Sequence, residues 1–125
     1  MAWTLYISNQ ASRDIDDIWE YGYEKFGLKV ADDYDALIKH ALSEIQENPH
    51  RQGVAQMPDR EGMYMYHLRY ANQHVDCSIK NPSHAVIYFL VNGQTIAVAS
   101  ISRLIRQRHI ENLSRDTIIE ELNDD

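Results

Sequence analysis

The feature that most constrains this chain is a pair of long amphipathic segments that meet at Gly27. The second segment, residues 28–47, has the clearest 3.6-residue periodicity, with apolar side chains at Val30, Ala31, Tyr34, Leu37, Ile38, Ala41, Leu42 and Ile45. In the first segment, residues 10–26, one face carries Ala11, Ile15, Ile18, Trp19 and Phe26, and Ser8 or Asn9 can cap the helix. Gly27 can end the first helix and Asn48-Pro49 stops the second. We therefore predict an antiparallel helical hairpin with one apolar seam.

Strand-like segments lie on both sides of this hairpin. Residues 4–8 alternate apolar and polar side chains, and residues 63–70 are rich in β-forming side chains. Residues 84–91 are almost wholly apolar, which is typical of a central strand. Asn92-Gly93 is a strong hairpin-turn signal, because both central positions of a type I′ turn need positive φ. Residues 94–102 are therefore predicted to return as the antiparallel partner.

The remaining segments are less regular. Residues 50–62 are polar and predict a loop, whereas residues 71–83 can hold either a short strand at 75–79 or a long loop. Residues 114–122 predict a short last helix. The order indicates an α+β domain, in which an N-terminal strand and a helical hairpin pack on an antiparallel sheet of about three to five strands. Residues 1–110 are assigned to this domain and residues 111–125 to an acidic helical extension.

Composition is that of one ordinary domain. The chain has 125 residues, 44% of them apolar, and no apolar run approaches the roughly 20 residues that span a bilayer. The N-terminal residues do not resemble a signal peptide, and the single cysteine, Cys77, excludes an internal disulfide. We therefore expect a cytoplasmic protein with no membrane association.

Charge is distributed unevenly. The net charge is −7 and the pI about 5.2, yet residues 111–125 alone carry six acids and one arginine. A basic group made of Arg103, Arg106, Arg108 and His109 comes directly before this acidic end. The acidic balance counts against free binding to nucleic acid, which is held largely by Lys and Arg. No direct sequence-specific DNA binding is expected.

No pattern for a metal or cofactor emerges. His74, Asp76, Cys77 and His84 have metal-binding side chains, but their spacing fits no structural zinc pattern, and an ordinary loop is expected there. The chain has no glycine-rich phosphate loop and no serine-centred nucleophile motif. We expect no cofactor and no bound metal.

An ordered set of short patterns resembles the ParE-type toxins of the ParE/RelE superfamily over about residues 4 to 109. The patterns are Ala11-x-x-Asp14-Ile15-x-x-Ile18-Trp19-x-Tyr21, Gly27, Ala31-x-x-Tyr34-x-x-Leu37, Pro49 with Gly53, His84-x-Val86-x-Tyr88 and Arg103-x-x-Arg106-Gln107-Arg108. The chain departs from the family where Arg106 stands in place of a common histidine. The resemblance implies a RelE/ParE-like fold.

The resemblance also implies a function. A ParE-like toxin of a type II toxin–antitoxin system binds DNA gyrase directly, inhibits it and arrests growth, and a cognate antitoxin neutralises it. Arg103, Arg106, Arg108 and His109 are the candidate target contacts, because arginine suits flat bidentate pairing with carboxylate or phosphate. The candidate antitoxin contacts are Trp19, Tyr23, Tyr34, Leu37 and Ile38, which are expected to line an apolar groove for a partner helix.

Two alternatives stay open from the sequence. Related RelE-like toxins cut messenger RNA on the ribosome, and Arg69, His84 and Arg106 are the candidate catalytic residues for that activity. The shortage of Lys and Arg counts against it, because a ribosome presents much phosphate. A third hypothesis is a superfamily member that only binds an antitoxin. The non-enzymatic gyrase inhibitor is the favoured hypothesis.

Overall fold

Five strands and four helices make up the part of the chain that the computed structural model describes, residues 3–57, 62–75, 79–103 and 115–123. In chain order they are β1 (Thr4–Ile7), α1 (Asn9–Phe26), α2 (Leu28–Glu47), β2 (Val54–Gln56), β3 (Met63–His67), α3 (Leu68–Asn72), β4 (Ala85–Val91), β5 (Thr95–Ser102) and α4 (Arg115–Asn123). This order confirms the predicted α+β class, the helical hairpin and the short C-terminal helix.

The strands form one sheet in the order β1-β5-β4-β3-β2. Neighbours from β2 to β5 are antiparallel, but β1 pairs with β5 in parallel, with Thr4 opposite Thr95. The sheet is therefore mixed, whereas the sequence predicts an antiparallel one. A parallel pair needs a long connection, and the helices and strands between β1 and β5 supply it. Alternation within residues 4–8 carries no information about the direction of the partner strand.

Two predicted segments have different boundaries in the structure. The predicted loop 50–62 contains the short edge strand β2, and the predicted strand 63–70 ends at His67 and continues as helix α3. His67 caps α3, because its Nδ1 accepts the Arg69 N–H at 3.1 Å. Leu68 and Ala71 are buried against the rest of the core, which favours the helical turn over further strand. The segment 75–79 lies partly outside the described residues.

The helical hairpin starts after Ser8 and turns at Gly27, as the sequence predicts. Ser8 Oγ accepts the Ala11 N–H at 3.1 Å and donates to the Ala99 carbonyl at 3.1 Å, so this side chain both caps α1 and ties it to β5. Gly27 has φ 93°, which favours glycine, and its N–H bonds to the Tyr23 carbonyl at 3.0 Å. A single residue therefore joins the two helices.

The sheet has an apolar cluster on each face. The helical hairpin covers one face, where buried side chains of α2 pack with Tyr66, Tyr88 and Val98. The other face carries Ile87 and Phe89, and Ile118 of α4 is buried against it. The acidic C-terminal helix thus contributes to the core through its apolar side.

A bulge interrupts the pairing of β4 with β5, and a side chain of α1 compensates for it. Ile87 lies opposite Ser100 but Tyr88 lies opposite Val98, so Ala99 is the extra residue. Asp14 Oδ2 accepts the Ile101 N–H at 3.1 Å and the Ser100 hydroxyl at 2.7 Å. Asp14 of α1 therefore supplies the acceptor that the bulged strand needs.

Candidate functional site

A groove of about 430 Å³ opens at the Gly27 end of the helical hairpin. One wall comes from α1 and α2, and the other from residues 79–84 and the residue after β5. We call it the hairpin groove, and its lining residues are Ile18, Tyr21, Gly22, Phe26, Val30, Tyr34, Ile79, Lys80, Asn81, Ser83, His84 and Arg103.

The helical wall of the groove is apolar and unusually open to solvent. Tyr21 is 50% exposed and Phe26 is 66% exposed. Leu28, beside the Gly27 turn, is 56% exposed. Exposed large apolar side chains in a groove make it a candidate binding surface.

The opposite wall is built on a hydrogen-bonded group around His84. The Tyr34 hydroxyl accepts the Ser83 N–H at 3.2 Å and lies 2.6 Å from His84 Nδ1. Burial, together with the positive charge of Arg103, lowers the pKa of His84 to about 4. The imidazole is therefore neutral at neutral pH, and we assign the Tyr34 hydroxyl as the donor to Nδ1.

The rim of the groove is cationic where the structure describes it. Lys80 and Arg103 are exposed and both line the groove. Of the four predicted target contacts, Arg103 is therefore placed beside the exposed aromatic side chains. Arg106, Arg108 and His109 lie outside the described residues.

The predicted antitoxin contacts do not form one surface. Tyr34 lines the hairpin groove, whereas Trp19 stacks on Tyr23 with ring centroids 5.3 Å apart and lines a separate shallow depression. Leu37 and Ile38 are fully buried in the core between the hairpin and the sheet. These two residues have no surface to offer a partner in this conformation, because the apolar seam of α2 faces the sheet.

The sequence did not single out Tyr21 and Phe26 as groove residues. Periodicity places Phe26 on the core-facing side of α1, but the core contacts of that helix are made by Ala11, Ile15 and Ile18. Phe26 and Leu28 remain exposed on both sides of Gly27. Two large apolar residues flanking a helix-ending glycine were the available signal.

The two ribonuclease candidates that the structure describes, His84 and Arg69, lie in different depressions. His84 lines the hairpin groove, whereas Arg69 lines a neighbouring depression with His67 and Asn72. Arg69 Nη2 donates to the hydroxyl of Tyr70 at 3.1 Å. Arg106, the third candidate, is outside the described residues.

A second polar group, the Glu44 cluster, lies away from the groove and comprises His40, Glu44, Arg51, Tyr66 and His74. Glu44 is buried, and its Oε2 lies 2.8 Å from His74 Nδ1, 3.2 Å from Arg51 Nη2 and 3.7 Å from His40 Nε2. Its Oε1 accepts the Tyr66 hydroxyl at 3.1 Å. His40, Glu44 and His74 have the ligand atoms of a metal site, each within 4.8 Å of the others.

Comparison with solved structures identifies the class of fold. A structure described as the chromosomal ParDE TA system from P. aeruginosa superposes with a TM-score of 0.62 at 17% sequence identity, covering 82% of this chain and 96% of that one. The YoeB dimer from Staphylococcus aureus superposes with a TM-score of 0.52 at 18% identity, covering 82% of this chain and 97% of that one. The chain thus has a ParE/RelE-like toxin fold.

The sequence itself identifies the family. Residues 5–110 match the family described as the ParE toxin of type II toxin–antitoxin system, parDE. The chain therefore belongs to the ParE toxin family and is a type II toxin. No curated protein sequence matches it significantly. None of the described helices combines the length and apolar composition needed to cross a bilayer.

Proposed function

We propose that this chain inhibits DNA gyrase by direct binding and is neutralised by a cognate antitoxin that occupies the hairpin groove. Membership of the ParE toxin family supports the toxin role. The observation that carries the choice of binding over RNA cleavage is the state of His84, the histidine among the candidate ribonuclease residues.

His84 is poorly suited to acid–base chemistry. A catalytic acid or base works best with a pKa near the operating pH, whereas burial lowers the pKa of this imidazole to about 4. Its Nδ1 is also held by the Tyr34 hydroxyl at 2.6 Å. The pair therefore acts as a structural link between α2 and the start of β4. A binding inhibitor needs no such base.

The proposed gyrase contacts are Arg103 and the basic residues that follow it in sequence. Replacing Arg103, Arg106 and Arg108 together by Ala should abolish growth arrest in cells that express the chain without antitoxin, because the cations that would pair with the target are gone. The variant should still bind the antitoxin, with reduced affinity, because Arg103 lies at the rim of the hairpin groove but the apolar wall of the groove is unchanged.

A matched control removes three positive charges elsewhere. Arg13, Lys29 and Lys39 are exposed on the helices and make contacts within their own helix, such as Arg13 with Gln10 at 3.2 Å. Their triple Ala variant should still arrest growth. Unchanged arrest by the Arg103, Arg106, Arg108 variant, or equal loss in both triples, would remove this target assignment.

The hairpin groove fits an amphipathic segment with acidic residues. Tyr21 and Phe26 offer apolar surface, while Lys80 and Arg103 supply positive charge at the rim. Partner helices bind such grooves through apolar anchors at helical spacing. We therefore assign this surface, including Tyr34, to the antitoxin.

Two variants distinguish antitoxin binding in the hairpin groove from binding elsewhere on α1. Replacing Tyr21 and Phe26 by Ser should weaken antitoxin binding at least tenfold in a titration of the purified chain. Tyr23→Ser is the matched control, because Tyr23 is 51% exposed but does not line the groove. A larger loss with Tyr23→Ser would instead place the antitoxin on the Trp19–Tyr23 side of the hairpin.

A further inference from the structure

The Glu44 cluster has the donor set of a divalent metal site, although the sequence predicts none. Imidazole nitrogen and carboxylate oxygen are both ligands of Zn²⁺. His40 and Glu44 are four residues apart on α2 and therefore share a helix face. His74, which the sequence places in an ordinary loop, follows α3 and brings the third ligand to the same point.

The distances fit one ion after small side-chain rotations. Bonds of about 2.0–2.2 Å in tetrahedral geometry require about 3.4 Å between neighbouring ligand atoms. Glu44 Oε2 lies 2.8 Å from His74 Nδ1 and 3.7 Å from His40 Nε2, values on either side of that requirement. The three ligand atoms all lie within 4.8 Å of one another.

One ligand atom lacks a hydrogen-bond partner. His40 Nε2 is buried and unpaired among the described residues, and at 3.7 Å the Glu44 carboxylate is too far away for a hydrogen bond. A buried polar atom of this kind is rare in folded proteins and calls for a specific partner. A metal ion between His40 and Glu44 satisfies this nitrogen.

The surroundings hold the central carboxylate in place. The Tyr66 hydroxyl donates to Oε1 at 3.1 Å, and Arg51 Nη2 lies 3.2 Å from Oε2. A carboxylate has about four lone-pair positions, so Oε2 can bind a metal while it keeps Arg51. Groups that hydrogen-bond a ligating carboxylate in this way orient it toward the ion. The Arg51 charge opposes the ion, which makes the affinity moderate.

We propose that His40, Glu44 and His74 bind one Zn²⁺ ion. The imidazole side chains are 38% and 49% exposed, so solvent can reach the ion and supply its fourth ligand. Such an ion links α2 to the segment after α3. The site is separate from the hairpin groove, and it stands or fails independently of the gyrase and antitoxin proposals.

Titration of the purified full-length chain with ZnCl₂ tests the site. Calorimetry should show about one ion per chain, and His40→Gln and His74→Asn should each weaken binding at least tenfold. Both substitutions retain a polar atom near the original nitrogen, and far-UV circular dichroism checks that each variant folds. Co²⁺ as a spectroscopic probe should give the intense visible absorption of a four-coordinate site.

His50→Gln is the matched control, because it removes an exposed imidazole that is not part of the Glu44 cluster. It should leave the affinity and the Co²⁺ spectrum unchanged. The proposal is overturned if the chain binds no Zn²⁺, if folded His40→Gln and His74→Asn bind as tightly as the parent, or if His50→Gln loses binding equally.

Discussion

Mild acid should destabilise the folded chain through His84. Burial lowers the pKa of this imidazole from 6.5 to about 4 in the folded state. The unfolded chain therefore binds more protons between about pH 6.5 and about pH 4. The neutral His84 imidazole therefore leaves the folded state at full stability above about pH 6.5, and this stability is lost as the pH falls toward 4.

The size of the effect follows from the two pKa values. One pKa unit corresponds to about 1.4 kcal/mol, so linkage gives about 2 kcal/mol of lost stability between about pH 7.5 and about pH 5. His84 is only partly buried, and solvent screening reduces the expected loss to about 1.5 kcal/mol. The charge of His67 also lowers the pKa of this imidazole, and the charge of Asp14 raises it.

The assay compares how the free energy of unfolding depends on pH in the parent and in His84→Asn. Asparagine keeps an acceptor near the Nδ1 position but does not take up a proton, so the variant should lose about 1.5 kcal/mol less than the parent over this interval. Urea unfolding followed by far-UV circular dichroism supplies both free energies of unfolding. His50→Asn should behave like the parent. A parent–variant difference below about 0.5 kcal/mol would refute the buried, neutral imidazole.

Substitutions at Asp14 and Gly53, each with a matched control, test two further packing contacts, and urea unfolding measures all four variants. Asp14→Ala should lower the free energy of unfolding by about 2 kcal/mol, because the Ile101 N–H loses its acceptor at the bulge, and Asp14→Asn should cost less because it keeps an oxygen. An unaffected Asp14→Ala protein would contradict this role. Gly53→Ala should cost about 2–3 kcal/mol, since φ is 101° and a Cβ would lie 2.9 Å from Tyr70 Cγ. Gly93→Ala, with positive φ but no atom within 4 Å of its Cβ, should cost about 1 kcal/mol, and equal costs would exclude the steric contribution.

Local signals in the sequence determine much of the fold. The 3.6-residue period of residues 28–47 and the stop at Asn48-Pro49 predict α2 to the residue. Asn92 and Gly93 have φ values of 55° and 66°, as the predicted hairpin turn requires. These features depend on neighbouring residues alone, which explains why they can be read from one sequence.

Contacts between residues far apart in the chain could not be predicted from the sequence. The parallel pairing of β1 with β5 depends on residues about 90 positions apart. The contact of Asp14 with the β5 bulge joins residues 87 positions apart, and His74 reaches Glu44 across 30 positions from another element. The seam of α2 could equally have faced a partner or the sheet, and the structure places Leu37 and Ile38 against the sheet.

The most direct test of the proposed function is a supercoiling assay with purified gyrase, run beside a cell-free translation reaction. The account predicts that the chain blocks supercoiling of relaxed plasmid, that its cognate antitoxin restores it, and that messenger RNA in the translation reaction stays intact. Full supercoiling activity together with cut messenger RNA would contradict the account and favour a ribosome-dependent nuclease.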